Sequence, residues 1–147
     1  MSARVSVIMP LFNKAPYVAR ALASVVGQTF TDIEVIVVDD GSTDTSAMFV
    51  EESTDPRLRL VKQSNLGPGA ARNRGIHEAN GELVAFLDAD DEWLPEYLAE
   101  SVRLLDEGGT RVASVTCGNC SFKSRTFTGS PLRGAPGMVS FNALPAS

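Results

Sequence analysis

Three aspartates follow one short apolar run of the sequence. The stretch "VAFLDADDEW" covers residues 84–93 and carries Asp88, Asp90 and Asp91 directly after its apolar residues. Two carboxylates about 4 Å apart repel each other by roughly 4 kcal/mol at an effective dielectric constant of about 20. A proton, a basic side chain or a metal ion must therefore compensate wherever such carboxylates are brought together.

The spacing of these aspartates decides which of them can share a site. Asp88 and Asp90 are two residues apart, so in an extended segment both point to the same side and can approach one ion. Asp91 is predicted to face away and, with Glu92, to pair with the N-terminal dipole of a helix that begins near Pro95. A solvated acidic turn remains the alternative for the whole group.

Oxygen ligands of this kind suit Mg²⁺ or Mn²⁺ better than zinc. Magnesium usually combines one or two protein carboxylates with phosphate oxygens of a substrate. An acidic crevice repels a phosphate by itself, whereas a divalent cation reverses the sign of the interaction. We therefore predict that Asp88 and Asp90 hold a cation that in turn holds a diphosphate.

Strand and helix patterns alternate along the chain. Asn13 is the predicted N-cap of the first helix, and Ser42 or Thr43 that of the second. The third strand has an alternating pattern and is expected nearer an edge of the sheet. The predicted strands are 5–10, 33–40, 57–63, 82–88 and 111–116, and the predicted helices are 15–28, part of 41–52, 67–80 and 94–107.

This order of elements predicts the fold class and the domain organisation. Strand–helix–strand repetition with short connections is typical of an α/β fold with a doubly wound, mainly parallel sheet and helices on both faces. Residues 1–117 are predicted to form this domain. Residues 118–147 are rich in Gly, Pro and Ser and show no periodicity, so they are predicted to be an irregular tail.

Polar residues cluster at the ends of three predicted strands, in "PLFNK", "DDGSTD" and "DADDEW". Ligands of such sheets bind in a crevice at the carboxyl ends of the strands. Asp39 and Asp40 are consecutive, so their side chains point to opposite faces and only one can serve a given pocket. The other is expected to cap the turn that follows.

Composition excludes several other classes of function. The formal net charge of −5 argues against nucleic acid or an anionic membrane as the main partner. No apolar run approaches the roughly 20 residues of a membrane span, and no signal peptide is recognisable, so a cytoplasmic location is expected. Cys117 and Cys120 form a lone C-x-x-C, far from the single histidine, His77. They are interpreted as two half-buried residues at a strand end.

The chain lacks the characteristic motifs of two other α/β folds. A dinucleotide-binding domain needs G-x-G-x-x-G after its first strand, where this chain has "PLFNKA". A phospho-receiver domain with Asp88 as acceptor needs a lysine after its last strand, and no lysine follows Lys123. That reading would also leave the first 33 residues unexplained.

Two long stretches, separated by about twenty residues, resemble a known family. They are "VSVIMPLFNKAPYVARALASVVGQTFTDIEVIVVDDGSTD" and "NLGPGAARNRGIHEANGELVAFLDADD". Together they are similar to the family 2 glycosyltransferases with the GT-A nucleotide-sugar-binding fold, over about residues 4–107. The motifs are highly specific for the family and weakly specific for the sugar.

The resemblance implies roles for particular residues. Pro10, Leu11 and Phe12 would border the nucleotide base, with Phe12 where the family often has Tyr. Asp40 would accept a hydrogen bond from the base, usually uracil. Asn65, Arg72 and Asn73 lie in the second of the two stretches.

The same resemblance assigns the acidic motif. Asp88-Ala89-Asp90 would be the family's D-x-D motif, with Asp90 on Mn²⁺ or Mg²⁺ and Asp88 near the metal or the ribose. Arg72 would reach the nucleotide, and a solvated helix arginine is the alternative.

The resemblance also implies a reaction and its partners. The family transfers a sugar from a nucleoside diphosphate donor, here expected to be a UDP-sugar, to an acceptor hydroxyl with inversion. The metal stabilises the departing diphosphate, and an Asp or Glu acts as general base. The acceptor would be a carbohydrate, lipid or protein, in cell wall or polysaccharide biosynthesis. The site would be cytoplasmic or peripheral to the inner membrane face.

The general base of this family normally comes from the second half of the domain. Residues 108–147 contain four basic residues and no acidic one. We therefore expect a sheet that is incomplete at its C-terminal end, a tail that is at most the start of an acceptor-binding region, and no general base. Two alternatives stay open: a non-catalytic nucleotide-sugar-binding module, and a fragment that forms a homodimer through residues 118–147.

Overall fold

Four parallel strands form the central sheet of the protein. The computed structural model describes residues 2–108 and the two-residue segment 144–145. The strands of the sheet are β1 (Val5–Leu11), β2 (Ile33–Asp39), β3 (Leu58–Lys62) and β4 (Leu83–Phe86), in the spatial order β3-β2-β1-β4. The helices are α1 (Val18–Val26), α2 (Met48–Glu51), α3 (Pro68–Glu78) and α4 (Tyr97–Gly108). A short antiparallel pair joins β5 (Asp91–Glu92) to β6 (Leu144–Pro145).

The strand order places helices on both faces of the sheet. The chain moves from β1 to β2 to β3 in one direction and then returns past β1 to form β4. Because parallel crossovers keep one hand, a reversal of direction moves the connecting helix to the opposite face. Helices α1, α2 and α4 accordingly pack in the larger core, and α3 packs on the other face. The predicted fold class is confirmed.

Strands β1 and β2 lie at the centre and are covered on both faces. Val7, Met9 and Val37 point into the larger core, whereas Ile36 and Val38 face α3, and all five side chains are fully buried. This explains why both strands are continuous apolar runs without alternation. Strand β3 lies at an edge and is only partly buried, as its alternating pattern predicted.

Helix α3 approaches the sheet closely because it carries a glycine at the contact. A Cβ atom at Gly75 would lie 2.3 Å from Cγ2 of Ile8, which is fully buried in β1. We expect Gly75→Ala to lower the free energy of unfolding by about 1–3 kcal/mol, because the stiff isoleucine has no free space to move into. Chemical denaturation measures this change.

Gly69 provides the matched control for this prediction, since it belongs to the same helix and has open space around its Cα. Gly69→Ala is expected to raise stability by up to about 1 kcal/mol through helix propensity alone. Equal effects of the two substitutions would contradict the close packing of α3 on β1.

The predicted helix N-caps are wrong. Helix α1 begins at Val18 and not at residue 15, and Asn13 has a left-handed φ of 50° and caps nothing in α1. Helix α2 begins at Met48, so neither Ser42 nor Thr43 caps it. Both errors have one cause: the polar side chains of these two loops bind each other across the sheet edge.

The prediction that Asp91 and Glu92 pair with a helix dipole is also wrong. Both residues belong to β5, and α4 begins only at Tyr97, with Glu100 as the acid of its first turn. Strand β5 is not part of the four-stranded sheet and pairs instead with Leu144–Pro145. Residues 144–145 were predicted to be irregular, and this segment is a correction to that prediction.

The remaining predictions for the C-terminal part fall on residues that the structure does not describe. They are the strand 111–116, the domain boundary at residue 117, the role of Cys117 and Cys120, and most of the tail. Among the helices of the described part, none is both long and apolar enough to cross a membrane.

Candidate functional site

A cavity of about 530 Å³ opens at the carboxyl ends of β1, β2 and β4. It lies where the order of the strands reverses, which is the usual place for a ligand in a doubly wound sheet. The residues that line it are Pro10, Leu11, Phe12, Lys14, Asp40, Asn65, Gly67, Pro68, Ala71, Arg72, Asp88, Ala89 and Asp90. Every residue predicted to bind nucleotide or metal therefore borders one cavity, while Asn73 does not.

Asp40 anchors the segment that leads into α3. Its Oδ1 accepts hydrogen bonds from Gln63 Nε2 and the Leu66 amide, and its Oδ2 accepts one from the Gly67 amide, each at 2.8 Å. Gly67 has a φ of 93°, a conformation that favours glycine. A carboxylate offers about four acceptor sites, so one acceptor site on Oδ2 remains for a ligand.

The same contacts set the charge of Asp40. Burial alone would raise the pKa of this carboxyl, but the hydrogen bonds from Gln63, Leu66 and Gly67 together lower it below its usual value. Asp40 is therefore ionised at neutral pH although only 3% of it is exposed. Asp39 points away and accepts a hydrogen bond from the Ser42 amide at 3.0 Å, which is the turn-capping role predicted for one member of the pair.

Two ion pairs line the cavity. Lys14 Nζ donates to Oδ2 of Asp90, and Arg72 Nη2 donates to Oδ1 of Asp88, both at 2.6 Å. All four side chains are between about one third and one half exposed. The compensation for the clustered carboxylates is thus supplied, in this structure, by one basic side chain for each.

Lys14 is the charged lining residue that the sequence analysis missed. It lies in "FNK", three residues after the end of β1 and two residues after Phe12, which was predicted to border the base. The available signal was a cation in the sequence next to the sheet edge at which acidic residues collect. The hydrogen bond to Asp90 raises the pKa of Lys14 and keeps it charged.

Asp91 shares the acidic turn but not the cavity lining. Burial raises its pKa to about 6, and the charges of Asp90 and Asp88 add to this effect. The prediction that Asp91 faces away from Asp88 and Asp90 agrees with its absence from the lining residues.

Asn13 joins the loop after β1 to the loop after β2. Its side-chain Oδ1 accepts hydrogen bonds from the backbone amides of Thr43 at 2.8 Å and Asp44 at 3.3 Å. Its own backbone amide donates to Ser42 Oγ at 3.1 Å. The Lys14 amide donates to Ser46 Oγ at 2.7 Å. These hydrogen bonds fix the backbone of the loop that carries Phe12 and Lys14.

Gln28 fixes the other side of the site. Its buried amide donates from Nε2 to the carbonyl oxygens of Ser24 and Leu94 and accepts at Oε1 from the Leu98 amide. Trp93 also donates its amide to Ser24 Oγ. The end of α1 thereby holds the segment that follows the acidic turn.

Comparison with known proteins settles the family. The model of the family described as "Glycosyl transferase family 2" matches residues 6–140. The chain belongs to glycosyltransferase family 2. The predicted family membership is confirmed, and the chain is a member of a family of sugar-transferring enzymes.

Relatives and solved structures agree with this assignment. The uncharacterized glycosyltransferase alr2836 of Nostoc sp. is 44% identical over 104 residues, which cover 69% of this chain and 32% of that protein. S. aureus TarS 1-349, crystallised in complex with UDP, has a TM-score of 0.73 and 33% identity, over 90% of this chain and 38% of that one. The mannosyltransferase PcManGT from Pyrobaculum calidifontis, in complex with GDP-Man and Mn²⁺, has a TM-score of 0.71 and 32% identity, over 80% and 36%.

The glycosyltransferase chain spans less than a third of the length of the first curated relatives that it matches. The alignments cover between 63% and 69% of this chain.

The donor atoms of the glycosyltransferase cavity decide which cation fits it. Within the described residues, no group of three or more His, Cys, Asp or Glu side chains is arranged to hold a metal ion. Asp88 and Asp90 supply two partly exposed carboxylates at one cavity. This set fits Mg²⁺ or Mn²⁺ whose other ligands are water and phosphate oxygens, and it does not fit a cation enclosed by protein ligands alone.

Proposed function

We propose that the cavity binds the nucleoside diphosphate of a nucleotide-sugar donor together with Mn²⁺ or Mg²⁺, and that the chain is the donor-binding part of an inverting glycosyltransferase. The observation that carries this proposal is the convergence of three carboxylates, two cationic side chains and an exposed aromatic ring on one cavity at the switch point of the sheet. Two solved relatives support it, because one was crystallised with UDP and the other with GDP-Man and Mn²⁺.

The base would lie at the end of the cavity formed by β1 and β2. Phe12 is 42% exposed there and offers an apolar face beside Pro10 and Leu11. An exposed aromatic ring is a suitable surface for a planar base. The remaining acceptor site of Asp40 suits an N–H donor of the base, such as that of uracil.

The diphosphate would lie at the opposite end, where the two ion pairs meet. Asp88 and Asp90 would hold the divalent cation, which supplies charge neutralisation for the departing diphosphate. Arg72 can bond to Asp88 and still donate to a phosphate, because a guanidinium carries five N–H groups. The side chains of this chain thus bind and orient the donor.

None of the carboxylates described above is proposed as the general base for inversion. Asp40 already accepts three protein hydrogen bonds, and Asp88 and Asp90 belong to the proposed cation site. Asp91 does not line the cavity. Residues 108–147 contain no acidic side chain. We therefore propose that these 147 residues bind the donor and transfer its sugar slowly or not at all, and this acid-free stretch also favours a non-catalytic binding module as the second candidate.

The cellular location and the oligomeric state of the protein are part of the same proposal. We place the protein in the cytoplasm or at the inner face of the membrane. The homodimer stays a prediction, and light scattering over a range of concentrations would distinguish it from a monomer.

Isothermal titration of the 147-residue chain with UDP and with GDP tests the proposed function. We expect one of the two to bind in the presence of Mn²⁺ and to bind at least about 300-fold more weakly in EDTA, because the acidic cavity repels a diphosphate that has no bound cation. Equal affinity with and without Mn²⁺ would contradict the cation site. Absence of binding by both nucleotides would contradict the donor pocket, and efficient sugar transfer by this chain would contradict the assignment of the missing base.

A further inference from the structure

We propose that Lys14 changes its partner when the donor binds. It pairs with Asp90 in the structure, and it binds the diphosphate once a divalent cation occupies that carboxylate. This inference rests on the proposed function and adds to it a residue, a direction of movement and a coupling between two ligands.

The backbone of Lys14 is fixed, and its side chain alone can move. Its amide donates to Ser46 Oγ at 2.7 Å, and its carbonyl oxygen accepts from the amides of Tyr17 and Val18, both at 2.9 Å. The four-carbon side chain therefore pivots about a rigid point on the cavity wall. Its ammonium group reaches Asp90 from there, and the space beside Asp90 is the cavity itself.

The pair between Lys14 and Asp90 is weak enough to exchange. The two side chains are 39% and 38% exposed. An ion pair this exposed to water typically changes an equilibrium by no more than about fivefold. A divalent cation carries twice the charge of the ammonium group and has carboxylate oxygens as preferred ligands, so it displaces Lys14 from Asp90 at a small cost.

The charges that line the cavity indicate which group Lys14 binds after it leaves Asp90. The charged lining residues are Lys14, Arg72, Asp40, Asp88 and Asp90, which sum to a net charge of −1. While Lys14 neutralises Asp90, it offers little attraction to a phosphate. Once the cation takes Asp90, the ammonium group is the unpaired positive charge of the cavity, and the diphosphate is the anion within its reach. Metal and diphosphate would thus bind with positive coupling through Lys14.

Lys14→Met tests this exchange, because its two expected effects have opposite signs. Binding of Mn²⁺ alone, followed by the electron paramagnetic resonance signal of free Mn²⁺, should become about two- to fivefold tighter because a competitor for Asp90 is removed. Binding of UDP at saturating Mn²⁺, followed by calorimetry, should become about tenfold weaker because a charge-assisted hydrogen bond to phosphate is lost. If GDP is the nucleotide that binds, it replaces UDP throughout.

Arg20→Gln is the matched control. Arg20 is a neighbouring, half-exposed cation that pairs with Glu92 at 3.4 Å and does not line the cavity. Both affinities of this variant should stay within about twofold of the parent chain. If Lys14→Met weakens Mn²⁺ and UDP together, Lys14 only positions Asp90 and the inference is wrong. If it leaves UDP affinity unchanged, the inference is wrong as well, whereas failure of the parent chain to bind either nucleotide would overturn the proposed function itself.

A second measurement needs no metal. Asp90→Asn removes the partner of Lys14, so UDP affinity in EDTA should rise several-fold as the ammonium group turns to the diphosphate. The double variant Lys14→Met/Asp90→Asn should lose this rise, which a double-mutant cycle expresses as a coupling between the two positions. An equal rise in the double variant would mean that Asp90 merely repels the diphosphate, and it would refute the exchange.

Discussion

Asp90→Asn is expected to weaken Mn²⁺-dependent UDP binding by about 100-fold while the fold stays intact. Removal of one charged partner from a desolvated ionic contact costs about 2–5 kcal/mol, which corresponds to about 30-fold or more in affinity. Asp90 is partly exposed and, within the described part of the chain, accepts its side-chain hydrogen bond from the partly exposed Lys14, so its replacement leaves no buried donor unsatisfied. Calorimetry with UDP at saturating Mn²⁺ measures the affinity, and thermal unfolding verifies the fold.

Asp106→Asn is the control for this substitution. Asp106 also pairs with a cation, Arg4, but it is 52% exposed and lies on α4, away from the cavity. Its replacement should leave UDP affinity unchanged. Comparable losses in the two variants would show that net charge, and not a cation held at Asp90, supports nucleotide binding.

Asp40→Ala is expected to destabilise the fold by about 3 kcal/mol. The substitution leaves three hydrogen-bond donors around a buried position without their acceptor, and each unsatisfied buried donor costs about 1–3 kcal/mol before the surroundings relax. The segment at residues 63–67 should loosen, so nucleotide binding should be lost as well. Chemical denaturation gives the free energy of unfolding.

Asp39→Ala serves as the comparison, because Asp39 is equally buried and accepts a hydrogen bond from the Ser42 amide at 3.0 Å. Its replacement should cost about 1 kcal/mol. Losses of the same size at Asp39 and Asp40 would contradict the anchoring role of Asp40.

Acidification should reduce the difference between the parent chain and Asp40→Ala. The pKa of Asp40 is lowered in the folded state, so the unfolded chain takes up a proton first as the pH falls. The contribution of Asp40 is therefore fully present above its unfolded pKa and is lost as the pH falls through its lower folded pKa. Denaturation curves at pH 7 and near pH 3 would measure this loss.

Much of the fold follows from local patterns. The apolar runs of β1 and β2, the alternation of β3 and the helical spacing in α4 were each recognised from neighbouring residues, because burial on one or two faces imposes a period on the chain. The boundaries were less accurate. Asn13 is a suitable N-cap by type, but its oxygen binds amides of the loop near residue 43, and no local pattern shows a partner thirty residues away.

The sequence by itself determined the family, the order of strands and helices, and which carboxylates reach the sheet edge, because these depend on residue type and on spacing within one element. Only the tertiary structure decided the partners: Lys14 with Asp90 across 76 positions, Arg72 with Asp88 across 16, and Asp40 with the Leu66 amide across 26. Such contacts depend on how separate strands are placed side by side. The physical reason is that electrostatic and hydrogen-bond partners are selected by distance in space, which the sheet order sets and the sequence separation does not.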